Sequence, residues 1–428
     1  MNKKHLLILL PICFTFFLTA CFDSKEIDEK AYVVALGFDK GENNFLNMTL
    51  QIAVPSKIAS GEGGGGEPSG STTITTVESP TLYAGLNMVN TYISKEIDLS
   101  HCKVIIFSKE LAEEGIHKYI HAMIRGREFR GSMYVAVALD TAEEYIRNVT
   151  PALEANPAKY YEMNFNSHQY TGFTGDTRLT NFYLLAECSC RQAYATLVGV
   201  NKYEKTDEFD PNNSTYKERG RDRPMEGDFY AGQIPKVYDI KAEVMGIAAF
   251  DGGKMVGQFD GQDALYHQMI YGTYQSSHIS VPDPRKPDNF ILLNVKQSRK
   301  PSHHVEMVNN APVNSVKARL EADILSIQSG INYEDNENIH TLEKTTEDFL
   351  EKGILQFLEK TRPIHADLCG FGREVKMKYL LWEEWEKVHW LKKYAQSKFD
   401  VEVELKIRRP GLMVKTAPAK SSEGDVMD

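Results

Sequence analysis

His117 and His121 stand four positions apart, so in a helix both imidazoles face one side and could share a metal ion. The zincin pattern H-E-x-x-H also needs a glutamate directly after its first histidine as general base. Lys118 occupies that position and no third ligand is apparent, so the pair reads as two solvent-side histidines. His303 and His304 are adjacent, which in a strand sends them to opposite faces, and they read as surface residues. Ser100 with Lys103, and Ser214 with Lys217, match S-x-x-K. The penicillin-binding version of that motif needs its serine at a helix start together with S-D-N and K-T-G, whereas here a β-prone run follows Lys103 and both partner motifs are missing. Gly61, Gly63 and Gly66 satisfy G-x-G-x-x-G, but polar sequence flanks them on both sides and no G-K-S/T follows. Carboxylates are too numerous, at 59 Asp+Glu, for any pair to be nominated as a glycosidase dyad. Trp382, Trp385 and Trp390 would suit ligand stacking, a membrane interface, or core and subunit contact; the interleaved Glu383, Glu384 and Glu386 favour the last. The expectation is a protein with no catalytic residues, no cofactor and no metal.

Bulk composition narrows the classes further. An excess of 59 acidic over 49 basic residues, net −10, argues against binding bare nucleic acid, which needs clustered Lys and Arg. With 42% hydrophobic and 25% charged residues a mostly disordered chain is excluded, and 428 residues suit two or three domains of about 150 residues each.

The first segment carries the one covalent chemistry that the sequence does suggest. Lys3 and Lys4 precede a thirteen-residue run, 6–18, interrupted only by Pro11 and Thr15. It is too short for a membrane span of about 20 residues and reads as a signal peptide, 1–20. Leu18-Thr19-Ala20-Cys21 resembles the bacterial lipobox: cleavage falls after Ala20, and the Cys21 thiol takes the diacylglyceryl group. Two acyl chains, palmitate among them, anchor stably where one is marginal. The alternative is a secreted protein with a chance cysteine. Cleavage removes Lys3 and Lys4 and leaves 47 basic against 59 acidic residues, net −12. The remaining cysteines, Cys102, Cys188, Cys190 and Cys369, form no disulfide framework; Cys188 and Cys190, one residue apart, read as too close for an easy bridge.

Elements that would position these residues follow from periodicity. Residues 31–38 and the alternating 46–54 read as a β-hairpin, 61–71 as a glycine-rich loop, and Ser79-Pro80 as the start of a helix carrying Leu82, Leu86, Val89 and Ile93. A β-α-β pattern runs over 104–139, and Thr141 with Glu144 forms a capping box. Residues 201–235 turn polar and read as a connection. A hairpin at 244–259, a strand at 290–295, alternating strands at 316–324 and 401–407, a helix through Leu350, Ile354, Phe357 and Leu358, and an aromatic helical stretch at 379–390 complete the pattern. The expected fold is mixed α/β and α+β in about three domains: an N-terminal α/β domain, 21–200; a middle β-rich domain, 201–300; and a C-terminal α/β domain, 301–417.

Four segments stand out in order: Cys21-Phe22-Asp23-Ser24-Lys25-Glu26-Ile27 running into 31–39 with its Gly-x-Asp end; SHCKVIIFSKELAEEG at 100–115 followed by 125–139; MGIAAFDGGKMVG at 245–257; and DLCGFGR at 367–373 with Ile407-Arg408-Arg409-Pro410-Gly411. Together they resemble the Ger(x)C family of spore germination lipoproteins. Phe22 replaces the family's usual Trp beside the anchor, and Cys369 and Pro410 are local variations. The resemblance implies a non-enzymatic C subunit of a nutrient germinant receptor, a three-domain α/β body held by its lipid on the outer face of the spore inner membrane. Its implied partners are a multi-spanning A subunit and a transporter-like B subunit. The rival readings are a lipid-anchored solute-binding protein of a transporter, disfavoured by the absence of two similar lobes, and an envelope hydrolase, for which no nucleophile or metal set is apparent.

Overall fold

A computed structural model of the chain describes residues 29–42, 46–54, 72–151, 153–154, 156–203, 215–236, 240–411, 413, 415–416 and 422. Ala20, Cys21, the 61–71 glycine run and Ser214 lie outside them.

The chain opens with an antiparallel trio, β1 (Lys30–Lys40), β2 (Leu46–Ala53) and β3 (Thr72–Ser79). Helix α1 (Leu82–Asn90) is capped by the Thr81 hydroxyl, not by Ser79, which ends β3 and donates to the Thr81 carbonyl. Next come β4 (Glu96–Asp98), β5 (Val104–Ser108), α2 (Lys109–Glu114), α3 (His117–Arg125) and β6 (Tyr134–Ala138). The predicted β-α-β unit is present, with β5 and β6 parallel. Helices α4 (Ala142–Arg147), α5 (Pro157–Phe165), α6 (His168–Thr171) and α7 (Leu179–Ala186) lead to β7 (Tyr194–Val200), and the hairpin β8 (Ala242–Asp251) and β9 (Lys254–Phe259) follows. Thr141 caps α4 by accepting the Glu144 N–H, as its sequence pattern predicts.

Among the described residues these strands form one sheet in the order β3-β2-β1-β5-β6-β7-β8-β9, with β4 beside β1. Its centre, β1-β5-β6-β7, is parallel, and those strands are almost wholly buried because helices and loops cover both faces. The Gly-x-Asp end of β1 has a local purpose. Helix α4 lies so close that a Cβ on Gly37 would sit 2.8 Å from Ile146 Cδ1, and Asp39 accepts the Ala142 and Glu143 N–H groups at that helix's N-terminus. Burial nonetheless raises the Asp39 pKa.

The second half contributes α8 (Gly261–Tyr271), β10 (Ser276–Pro282), β11 (Phe290–Val308), β12 (Ala311–Ile327), α9 (Asn336–Thr361), α10 (Phe371–Lys376), α11 (Trp382–Glu386), α12 (Trp390–Tyr394) and β13 (Lys398–Arg409). Strands β10-β11-β12-β13 make a four-stranded sheet in which β13 is a parallel edge against β12. Val403, Leu405 and Ile407 are buried under α9, as the alternation predicts. The hydrogen-bonded main sheet runs across residue 201, since β8 pairs with β7, and β11 runs across residue 300.

Two expectations change. The aromatic stretch 379–390 is two short helices, not one, because His389 takes a left-handed conformation (φ 49°) between them. Cys188 and Cys190 are joined by a disulfide: a turn brings their Cα atoms to 5.2 Å, within the span such a bridge covers. Cys102 and Cys369 are free and buried.

Candidate functional site

The chemical candidates are dispersed. The His117 and His121 rings lie 5.7 Å apart with their planes tilted by 49°, but His117 Nε2 faces Glu187 at 3.5 Å and His121 packs edge-on to Tyr183. Among the described residues no group of three His, Cys, Asp or Glu could hold a metal ion. His303 turns inward, its Nε2 2.7 Å from the Ile270 carbonyl, while His304 on the opposite strand face is exposed. Lys103 is engaged with Glu162 at 2.6 Å, and the Ser100 N–H donates to Asp98, so this S-x-x-K is a turn and a surface ion pair.

Three of the resemblance segments are instead linked in series, the first to the second directly and the second to the third through Gln192. The Ile116 N–H, just after Glu-Leu-Ala-Glu-Glu-Gly, donates to the Gly253 carbonyl in the β8–β9 turn at 2.7 Å. Gln192 then joins that turn to Asp-Leu-Cys-Gly-Phe-Gly-Arg: its side chain binds Asp251 and the Gly252 N–H, and its backbone N–H donates to the Asp367 carbonyl at 2.9 Å. Asp367 is the hub. Its carboxylate accepts the N–H groups of Gly370, Phe371 and Gly372 at 2.7–3.1 Å and Trp390 Nε1–H at 2.8 Å, which starts α10 and seats α12. Burial raises its pKa in spite of these four donors. A Cβ on Gly372 would lie 2.3 Å from both the Cys190 carbonyl oxygen and Trp390 Nε1, so only glycine fits.

Beside this junction Ser189, Trp385, Glu386, His389, Trp390 and Lys392 line an open cleft of 430 Å³. Trp385 donates through Nε1 to Ser189 Oγ at 2.8 Å and is buried, as is Trp390. Trp382 is 52% exposed. Two of the three tryptophans are thus core, as the interleaved glutamates suggested, and one is not.

A second junction lay hidden in the stretch read as a connection. Arg219 is buried and holds Asp228 at 2.6 Å, Asp260 through both its oxygens at 2.7 and 2.8 Å, and Asp263 at 2.8 Å; Arg221 adds to Asp228, and Lys360 of α9 reaches Asp263 at 3.1 Å. Burial opposes the charge on Arg219, yet the three aspartates hold its pKa above the ordinary value. Burial pushes Asp228 and Asp263 up. Three cations against three aspartates tie the 215–236 segment, the start of α8 and the long helix α9 together. The signal in sequence was Asp260, three residues before Asp263 at a helix start, an N-cap pattern whose side chain accepts the Asp263 N–H.

These junctions bury their carboxylates, pair them and aim them at backbone or guanidinium. They tie distant segments of the chain together, and in the Arg219 junction the Thr215 hydroxyl also donates to Asp260. A model described as "Spore germination protein N-terminal domain" matches residues 23–198, and one described as "Spore germination B3/ GerAC like, C-terminal" matches 245–411. The chain belongs to the Ger(x)C family. Similar full-length relatives of this family include "Spore germination protein KC" of Bacillus subtilis (strain 168), 24% identical over 96% of this chain and 97% of that protein. "Spore germination protein B3" of the same organism is 20% identical over 95% and 97%. A solved structure titled "Crystal Structure of the GerBC protein" shares the Ger(x)C fold, with a TM-score of 0.52 at 16% identity over 87% of this chain and 96% of that one. Of the resemblance segments, 245–257 and 367–373 both fall within the match to the C-terminal Ger(x)C model, and the geometry above gives each a structural duty.

Proposed function

We propose that this protein is the lipid-anchored, non-catalytic C subunit of a spore nutrient germinant receptor, working beside A and B subunits on the outer face of the spore inner membrane. The observation that carries the reading is the match of both germination-protein models in order over nearly the whole mature chain. Ala20 is the last residue removed, and Cys21 takes the diacylglyceryl group, which fixes to the bilayer a body in which no described helix is long and apolar enough to cross it. The junctions at Asp367 and Arg219 then serve to hold the body rigid, and no step of bond chemistry is asked of them. The anchor is tested by Cys21→Ala in the sporulating organism with metabolic fatty-acid labelling. Loss of label, loss from the inner-membrane fraction and a failed response to nutrients are expected. Label retained on the Cys21→Ala chain would overturn the assignment of that residue, and a normal germination response in spores lacking the protein would overturn the role.

A further inference from the structure

From the end of α10 into the first turn of α11 the chain runs through eight consecutive exposed residues, 377–384, and its apolar members are all in front: Met377, Tyr379, Leu380, Leu381 and Trp382. Leu380 is 98% exposed. The turn is not loose, because the Asp367 hub holds one side of it and buried Trp385, bonded to Ser189, holds the other. Folded proteins seldom leave so compact a group of large apolar side chains uncovered unless something covers it.

Charge and position indicate what does. Between residues 373 and 393 stand six cations, Arg373 and five lysines, against four glutamates, a local excess opposite in sign to the net −10 of the chain. Lys376 lies 4.5 Å from the Trp382 ring centroid, and Trp382 Nε1 donates to Glu386 at 2.7 Å, so the ring is held with an ammonium on its face. Protein interfaces are depleted in lysine, whereas a leucine and tryptophan tip preceded by Lys376 and Lys378 is the composition that settles at an anionic bilayer surface; Glu383 and Glu384, which follow on α11 and weigh against a membrane in the sequence, are outnumbered in the structure by the cations around the tip. The segment also packs on residues 188–192, which lead into β7. Because β1, β5, β6 and β7 are parallel, the start of β7 and the start of β1 lie at one end of the sheet, where exposed Arg125, Arg127 and Arg130 before β6 stand with Glu128, Glu96 and Asp98. Cys21 precedes Lys30 by nine residues, a tether of at most about 30 Å.

We infer that residues 377–382 are a membrane-contacting tip that enters the headgroup region of the leaflet in which the Cys21 lipid is anchored. The inference rests on the anchor proposed above for its geometry. The tip and the anchor together hold the molecule in one orientation, where a lipid alone leaves it free to swivel on its tether.

The chain's three tryptophans make the test direct, since Trp385 and Trp390 are buried and only Trp382 is open to lipid. Full-length acylated protein is placed on vesicles of phosphatidylglycerol and phosphatidylethanolamine whose acyl chains are brominated. Quenching of tryptophan emission is expected, with its loss in Trp382→Phe and in the Leu380→Asp, Leu381→Asp double variant, each with an unchanged far-ultraviolet circular dichroism spectrum and urea midpoint. Protein that is acylated and vesicle-bound yet unquenched overturns the tip and leaves the anchor standing. So does a photo-crosslinker at position 380 that captures a receptor subunit in spores and no lipid. Cys21→Ala protein separates the two ideas from the other direction. At excess vesicle it should still be quenched, and Leu380→Asp should lower its partitioning by about tenfold or more, the factor by which burying one leucine side chain favours transfer. No measurable binding of the unacylated chain to anionic vesicles overturns the tip, whatever mass spectrometry says of Cys21.

Discussion

At the seam between the two sheets Asp228, Asp260 and Asp263 surround one guanidinium in a fully buried site, whereas along the edge of the smaller sheet Glu343, Glu347 and Glu351 each accept one strand N–H, Glu343 from a buried position and the other two at the rim of solvent. The second arrangement follows from helical spacing: residues four apart on α9 fall on one face, and the Ile407, Leu405 and Val403 N–H groups two apart on β13 meet them at 2.9 Å each. It covers an edge that would otherwise offer a row of free donors. Glu343 shows the mildness of this environment. Burial would raise its pKa, but the Ile407 N–H, His340 and Lys406 hold it below the ordinary glutamate value. In the seam burial prevails, and Asp228 and Asp263 are pushed up beside their cations. Lost partners are replaced by water at the edge and by nothing at the seam.

Removing the guanidinium should therefore give the largest effect in the molecule. Arg219→Met leaves three buried carboxylates facing one another with only Arg221 and Lys360 at the margins, and breaking a buried ion network from one side costs about 3–5 kcal/mol. Urea unfolding of the purified protein measures it. Arg219→Lys should recover only part, because an ammonium cannot hold both oxygens of Asp260 while reaching Asp228 and Asp263. If Arg219→Met unfolds at the wild-type midpoint, the contrast between seam and edge fails.

This contrast also separates what sequence could and could not show. The β13 edge was legible: Val403, Leu405 and Ile407 alternate with Glu402, Glu404 and Lys406 because one face is buried and the other wet. Helix α8 was not, since Gln262, Asp263, His267 and Gln268 are buried together with Leu265 and Met269, and a helix buried all round has no stripe for periodicity to find. Residues 215–236 have the composition of a solvated connection. What makes part of them interior is Asp260 and Asp263, about forty positions away, and composition carries no such pairing. At the Asp367 junction the glycines were visible as a motif, but their reason, the approach of Trp390 and Cys190, is tertiary. The break at His389 has no glycine or proline to announce it.

An effect of intermediate size is expected from a buried histidine. His267 on α8 is fully buried against Tyr194, Tyr271 and Phe357, donates through Nε2 to the Leu368 carbonyl at 3.2 Å, and leaves Nδ1 bare. Burial lowers its pKa to about 4 from an ordinary 6.5. Below pH 6.5 the unfolded chain takes up a proton that the folded one refuses until about pH 4. Stability from this group is therefore complete above 6.5 and declines as pH falls, by about 1.4 kcal/mol per unit across that window. His267→Phe should lower stability by an amount independent of pH, through the orphaned Leu368 carbonyl, and remove that slope. Unfolding midpoints at pH 7, 6 and 5 for both proteins decide it, and parallel curves would show that position 267 is accessible to protons in the folded state.

The smallest effect belongs to the edge. Glu347→Ala takes away the acceptor of the Leu405 N–H, but among the described residues no strand lies beyond β13, so water can reach the freed donor and the loss is that of one ordinary hydrogen bond, about 0.5–1.5 kcal/mol. Glu347→Gln keeps a carbonyl oxygen in place and should cost less than the alanine variant, which distinguishes the hydrogen bond from the charge. The two changes at Glu347 and Glu351 should add, because each carboxylate serves its own N–H and the pair share no partner among the bonds to β13. A double variant that lost far more than the sum, measured by the same urea midpoints, would mean that β13 peels from α9 as a unit. The edge would then behave as cooperatively as the Arg219 seam, and solvent access would not be what makes the two regions differ.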